Sequence, residues 1–174
     1  MLAACAAPGP GSGVPSMPEG SSGYTPKPGW AFPRMAVAAA NPLAAEAGLK
    51  VLTMGGNALD AAVAVQMVLA LVEPQSSGIG GGAFMLRYDH ASGAVTAYDG
   101  RETAPAAATE NYLRWISATQ QTTPLPNARS SGRSIGTPGV LHMLDAAHKD
   151  AGRLTWKELF DPAIQIANEG FRIS

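Results

Sequence analysis

The sequence predicts an α+β fold, on three observations. A helix is bounded by Asn41-Pro42 at one end and Gly55-Gly56 at the other. A second segment, residues 58–72, is apolar almost throughout. Two short β-prone runs, Phe84–Tyr88 and Val95–Asp99, flank the turn-forming segment Asp89–Ala94.

The elements follow in order. Met35–Ala39 is a short apolar run and is expected to be a buried strand. Asn41 then supplies an N-cap side chain and Pro42 a pre-set N1 position, and the helix runs to about Met54. Gly55 provides the left-handed stop. Asn57 caps the second helix, with Asp60 at N3 facing its positive end. Within residues 58–72 only Asp60 and Gln66 are polar. That length falls short of the roughly 20 residues a bilayer demands, so the segment reads as a buried core helix. Glu73-Pro74 ends it. The two β-prone runs form an antiparallel hairpin. Residues 117–134 are polar and read as loop. A third helix is expected from Thr137-Pro138, with Val140, Leu144 and Ala147 on one face. Thr155-Trp156-Lys157-Glu158 has the form of a capping box, and Asp161-Pro162 opens a short helix that ends at Gly170.

Composition narrows the function classes. Charged residues are 14% of the 174-residue chain, against about 25% in an average domain. Twelve basic and 13 acidic side chains leave a net charge of −1. No basic footprint for nucleic acid exists in such a balance. A single cysteine, Cys5, rules out an internal disulfide framework and a zinc site built on several thiolates. His142 and His148 are six residues apart and point to different helix faces, so no metal is implied. Residues 1–34 carry 7 prolines and 6 glycines and read as a flexible tether. Residues 35–174 carry the fold. Leu2-Ala3-Ala4-Cys5 resembles the lipobox of bacterial lipoproteins, which implies Cys5 as a lipid attachment point. The alternative is an accidental cysteine in a flexible end.

Two motifs fit chemistry but not context. Gly78, Gly80 and Ala83 match the dinucleotide fingerprint, which must follow a strand and open a helix. Here the order is reversed. Gly132-Arg133-Ser134-Ile135-Gly136 matches the nucleophile elbow, but polar residues 127–131 do not form the buried strand an elbow requires.

Five blocks in order resemble one family. They are residues 55–64 (Gly-Gly-Asn-Ala-Leu-Asp-Ala-Ala-Val-Ala), residues 73–82 (Glu-Pro-Gln-Ser-Ser-Gly-Ile-Gly-Gly-Gly), Asp99-Gly100-Arg101-Glu102-Thr103-Ala104-Pro105, residues 132–140, and residues 162–171. Together they resemble the start of the large subunit of the gamma-glutamyltransferases, or glutathione hydrolases. The resemblance implies part of an N-terminal-nucleophile hydrolase αββα sandwich. It also implies a precursor that cleaves itself, a free-amine Thr nucleophile, gamma-glutamyl substrates such as glutathione, and no cofactor. In the family, the Arg of the D-x-R-E stretch binds the alpha-carboxylate of the glutamyl group, and Arg101 stands at that position. A guanidinium fork suits a carboxylate on physical grounds as well. The competing reading is a purely structural ion pair of Arg101 with Asp99 or Glu102. Glu102 is expected to orient Arg101 and not to do chemistry.

No Thr in the chain stands in the Thr-Thr-His context of the family's nucleophile, since Thr122-Thr123 precedes Pro124. Arg101 is therefore the expected substrate-binding residue, no catalytic residue lies within the chain, and residues 1–174 alone are expected to be inactive. The expected partners are the rest of the large subunit and the small subunit, with membrane contact only through lipid at Cys5 and a periplasmic or membrane-anchored location. Alternative functions are a glutaryl-type beta-lactam acylase of the same fold and a non-catalytic carboxylate-binding lipoprotein.

Overall fold

The computed structural model describes residues 32–173. The chain divides into Met1–Pro33 and Arg34–Ser174, and every element below belongs to the second unit. Cys5 and nearly all of the predicted tether lie outside the described residues.

Helix α1 spans Pro42–Thr53 and α2 spans Ala58–Val72. Both begin as their caps dictate. Leu43 N–H donates to Asn41 Oδ1 (3.0 Å), and Leu59 and Asp60 N–H donate to Asn57 Oδ1 (2.9 and 3.1 Å). Gly55 leaves α1 at φ 98°, a conformation that favours a residue without Cβ. From Leu59 to Val72 no side chain is exposed. Eight of its residues are buried, while the stripe Ala62, Val65, Gln66 and Leu69 is only half-buried. Ala44 and Ala47 of α1 pack on Val68 and Val72 along one side of it. Val63 and Met67 face the remaining elements in a second, larger cluster.

Strands β1 (Ala83–Tyr88) and β2 (Val95–Gly100) pair antiparallel, with Phe84 opposite Asp99 and Leu86 opposite Ala97. In the connecting turn, Ser92 N–H and Oγ–H donate to Asp89 Oδ1, and these bonds hold the Asp89 carboxyl below its ordinary pKa. One face of the hairpin, through Ala83, Met85 and Tyr98, rests on the larger cluster. The other face leaves Phe84 (68%), Leu86 (75%) and Tyr88 (63%) exposed.

Helix α3 (Val140–Ala151) packs Val140, Met143, Leu144 and Ala147 into the core. A 3₁₀ turn, Trp156–Leu159, and helix α4 (Asp161–Glu169) complete the chain. Gly170 stops α4 at φ 81°. Among the described residues no helix is long and apolar enough to cross a membrane.

Two expectations fail. Met35–Ala39 forms no strand and pairs with none among the described residues, and only Val37 and Ala39 are half-buried. Ala39 packs against the α1–α2 cluster instead. Helix α3 starts three residues after Thr137. Thr137 is held in a backbone bridge with Thr103, and the N–H groups of Gly139 and Val140 both donate to Gly81 O (3.1 Å each).

Asp60 ties distant parts of the fold together. Fully buried, its carboxylate accepts from Asn57 N–H (2.9 Å) and, more than 90 residues away, from Arg153 N–H (3.1 Å) and Leu154 N–H (3.4 Å). His148 lies 3.8 Å from it, with Nε2 also 2.9 Å from Leu154 O.

Candidate functional site

The site forms where β2 ends. Gly100 is buried so tightly that a Cβ there would lie 2.6 Å from Met143 Cβ, and a Cβ on Gly139 would collide with Gly100 O. Two glycines thus let the strand end meet the start of α3 backbone to backbone. The chain then turns outward, with Arg101 N–H donating to Asp99 Oδ1 (2.9 Å). Two residues on, Thr103 and Thr137 exchange backbone hydrogen bonds of 3.3 and 2.8 Å. Arg101 and Glu102 are therefore bracketed by ordered backbone on both sides.

The Arg101 side chain is 71% exposed. Its nearest carboxylate is Glu102, with Nε to Oε2 at 3.9 Å, and among the described residues its guanidinium donates no hydrogen bond to protein. At that distance and exposure the pair is weak, on the order of 0–1 kcal/mol. The structural ion-pair reading therefore leaves Arg101's donors unused. Arg101 lines a cleft of about 410 Å³ together with Pro105, Tyr112, Leu113 and Ile135, among others.

Glu102 separates this cleft from a second one of about 570 Å³ beneath the glycine-rich segment, lined by Gln66, Ser77, Gly80 and Gly82 among others. Gln66 Nε2 donates to Ser77 Oγ (2.8 Å) there, which fixes one wall. Glu102 is seated between two glycines: Cβ atoms on Gly82 and Gly136 would lie 2.6 Å from its Oε2 and 2.8 Å from its Cβ. Of the glycine cluster, Gly82 works by close approach, whereas a Cβ on Gly78 or Gly80 would meet nothing within 4 Å; the cluster precedes a strand, so it is no dinucleotide fingerprint.

Ser134 is no elbow nucleophile. It sits in a 3₁₀ turn, Gly132–Ser134, and its hydroxyl is within bonding distance of Arg129 O (2.7 Å) and Ser131 O (2.9 Å). Asp145 pairs with Lys149 at 2.7 Å, while His148 turns to Leu154. Among the described residues no three His, Cys, Asp or Glu side chains converge as a metal site requires.

The sequence placed Arg101 at a strand end but missed the seat of Glu102 and the part played by Arg133. Arg133 lines the Arg101 cleft and donates to the carbonyls of Tyr112, Trp115 and Ile116. The only sequence signal for it was its place in the Gly132–Gly136 block.

Comparison with known proteins gives one consistent result. A family model described as Gamma-glutamyltranspeptidase matches residues 44–174. The glutathione hydrolase proenzyme of Bacillus subtilis strain 168 is 43% identical over 137 residues, which cover 79% of this chain and 23% of that protein. The crystal structure of Helicobacter pylori gamma-glutamyltranspeptidase superposes with a TM-score of 0.73 at 36% identity, covering 84% of this chain and 41% of that one. A Pseudomonas nitroreducens gamma-glutamyltranspeptidase complexed with L-DON gives 0.71 at 36% identity, covering 83% and 42%. The chain spans between 20% and 24% of the curated relatives reported for it. These solved structures support the N-terminal-nucleophile fold, of which the four helices and one hairpin here are a part.

Proposed function

Because the chain belongs to the gamma-glutamyltranspeptidase family, we propose that it forms part of an enzyme that cleaves gamma-glutamyl amides such as glutathione. Arg101 would hold the alpha-carboxylate of the glutamyl group. The observation that carries this reading is the exposed Arg101 guanidinium just past β2, which lines the cleft and, among the described residues, donates no hydrogen bond to protein. A planar fork fits a carboxylate through two parallel N–H bonds.

The chemistry is acyl transfer through a Thr hydroxyl supplied outside these residues. That oxygen attacks the gamma-carbonyl, the C–N bond breaks, and the amine leaves with a proton. Water or an amino acceptor then attacks the ester and regenerates the hydroxyl. Arg101 contributes binding and orientation. The partners are the remaining large-subunit residues and a small subunit that opens with the nucleophile.

Residues 1–34 serve as a tether to residues 35–174. If Cys5 is lipidated, the protein is held at a bacterial membrane on the periplasmic side. One acyl chain anchors only marginally, so more than one is expected. Cys5→Ser should move the protein to the soluble fraction, and unchanged membrane fractionation would refute the anchor.

The functional test is direct. The full-length protein should release the anilide from a gamma-glutamyl anilide, faster with a dipeptide acceptor. A glutaryl anilide keeps the carboxylate but lacks the alpha-amine, and should be a poor substrate. Preference for the glutaryl compound would overturn the reading in favour of an acylase.

A further inference from the structure

Between the bridge partners Thr103 and Thr137 the chain makes a long excursion whose only regular element is the 3₁₀ turn Gly132–Ser134. After a first turn in which Ala108 N–H donates to Pro105 O (2.8 Å), it turns again, with Tyr112 N–H donating to Thr109 O (3.0 Å) and Trp115 N–H to Asn111 O (3.0 Å). A turn of this kind ends on carbonyls that no following turn satisfies. Here three of them converge on one side chain. Arg133 Nη1 donates to Tyr112 O (3.2 Å) and Trp115 O (2.8 Å), and Nη2 donates to Ile116 O (2.8 Å). The guanidinium carbon also lies 5.7 Å from the centre of the Tyr112 ring. Charge-assisted bonds of this type are about twice as strong as neutral ones, and the stacked ring adds to them.

Arg133 and Tyr112 both line the Arg101 cleft, and both line a neighbouring cleft of about 590 Å³ on the far side, with Asn111 and Trp115. The pair is the partition between the two. Among the described residues no carboxylate lies within ion-pair distance of Arg133, so its charge serves the carbonyls alone. The same bonds commit both of its terminal nitrogens to protein, which distinguishes it from Arg101.

We propose that Arg133 is a positioning residue for the Arg101 cleft. By holding the end of the 109–116 turn it fixes where Tyr112 and Leu113 stand, and so sets the affinity for a carboxylate ligand bound at Arg101. It does not touch the ligand. The affinity part rests on the gamma-glutamyl reading of that cleft.

The test uses the full-length protein with Arg133→Lys, Arg133→Gln and, as a charge control, Arg129→Gln. Arg129 is exposed. Lysine keeps the charge but not the fork that spans three carbonyls. Both Arg133 variants are expected to raise KM for a gamma-glutamyl anilide roughly tenfold with kcat changed by no more than a factor of about two. The dissociation constant for L-glutamate should rise in parallel, and hydrogen exchange in peptides covering residues 106–122 should quicken. Arg129→Gln should do none of these. A merely structural staple would quicken exchange and lower the amount of active enzyme while leaving KM and L-glutamate affinity alone, and that result overturns the proposal. So does unchanged exchange, or full rescue by lysine. A wild-type protein that neither turns over the anilide nor binds L-glutamate overturns the gamma-glutamyl reading instead, and the exchange measurement then decides separately whether Arg133 holds the segment.

Discussion

The Glu102 carboxylate lies in the space that a Cβ on Gly82 would occupy, with Oε2 2.6 Å from that position. The carbonyl oxygen of Gly100 is 2.7 Å from the same point. One obstacle is a side chain that could swing away; the other is backbone at the end of β2. Gly82→Ala must therefore displace the strand end that carries Arg101. The expected effect is a loss of about 1–3 kcal/mol of stability, as for overpacking elsewhere, together with a raised KM. Thermal melting and steady-state kinetics on the full-length protein check both, and a variant with wild-type values on each would show that the loop moves freely.

Asp60 offers a test of the scaffold. Its carboxylate serves three backbone N–H groups, from Asn57, Arg153 and Leu154. Asp60→Ala strands these donors, and an unsatisfied buried group costs about 1–3 kcal/mol. A total loss of roughly 3 kcal/mol or more is expected. Asp60→Asn retains one acceptor oxygen and should cost less. Denaturant unfolding of the two variants gives the ranking, and equal losses would argue against the hydrogen-bond account.

The outer face of the hairpin bears on how residues 32–174 behave alone. Phe84, Leu86, Tyr88 and Val95 (64%) stand together there and are all exposed. Contiguous apolar surface of this kind promotes association. The isolated segment is expected to self-associate, and Leu86→Lys combined with Phe84→Thr should reduce that. A monomer that melts cooperatively by light scattering and calorimetry would contradict the expectation.

Among the described residues, two carboxyls with a lowered pKa, Asp89 and Glu158, contribute to acid stability, and Glu158 offers the test. Hydrogen bonds from the Thr155 hydroxyl (2.6 Å) and then its backbone N–H (2.8 Å) hold the Glu158 carboxyl below its ordinary pKa. A carboxylate with a lowered folded pKa stabilises the fold above its unfolded pKa. That contribution disappears as pH falls through the folded value. Glu158→Gln should therefore flatten the acid limb of a stability–pH curve while leaving its slope near neutrality unchanged. Parallel curves for variant and wild type would count against this.

Local signals account for what was legible in the sequence. Asn41-Pro42, Asn57, Glu73-Pro74, Asp161-Pro162 and Gly170 each act within one turn, and the helices they bound appear where expected. The hairpin was readable for the same reason, since its turn lies between its strands. The start of α3 was not, because Thr137 is claimed by Thr103, 34 residues earlier. Met35–Ala39 misled because a five-residue apolar run suits a strand and an irregular segment packed on helices equally well. Arg101 could be placed at a strand end, but its open cleft depends on Glu102 seated between Gly82 and Gly136 and on Arg133 gathering carbonyls from Tyr112 to Ile116. Those contacts join residues 17–34 positions apart, and no local pattern encodes them.

The central claim is that Arg101 binds a carboxylate of the substrate. It is tested most directly by comparing wild type with Arg101→Ala in the full-length protein, on a gamma-glutamyl anilide and on the 4-aminobutyryl anilide that lacks the alpha-carboxylate. For so open a side chain the loss should sit near the lower end of the range for a truncated charge pair, about 2 kcal/mol, or roughly 30-fold in kcat/KM. Arg101→Lys, without the planar fork, should recover only part of it. The loss is expected on the gamma-glutamyl substrate alone, mainly as a raised KM, with precursor self-cleavage unaffected. Equal loss on both anilides would contradict the claim and make Arg101 a structural residue.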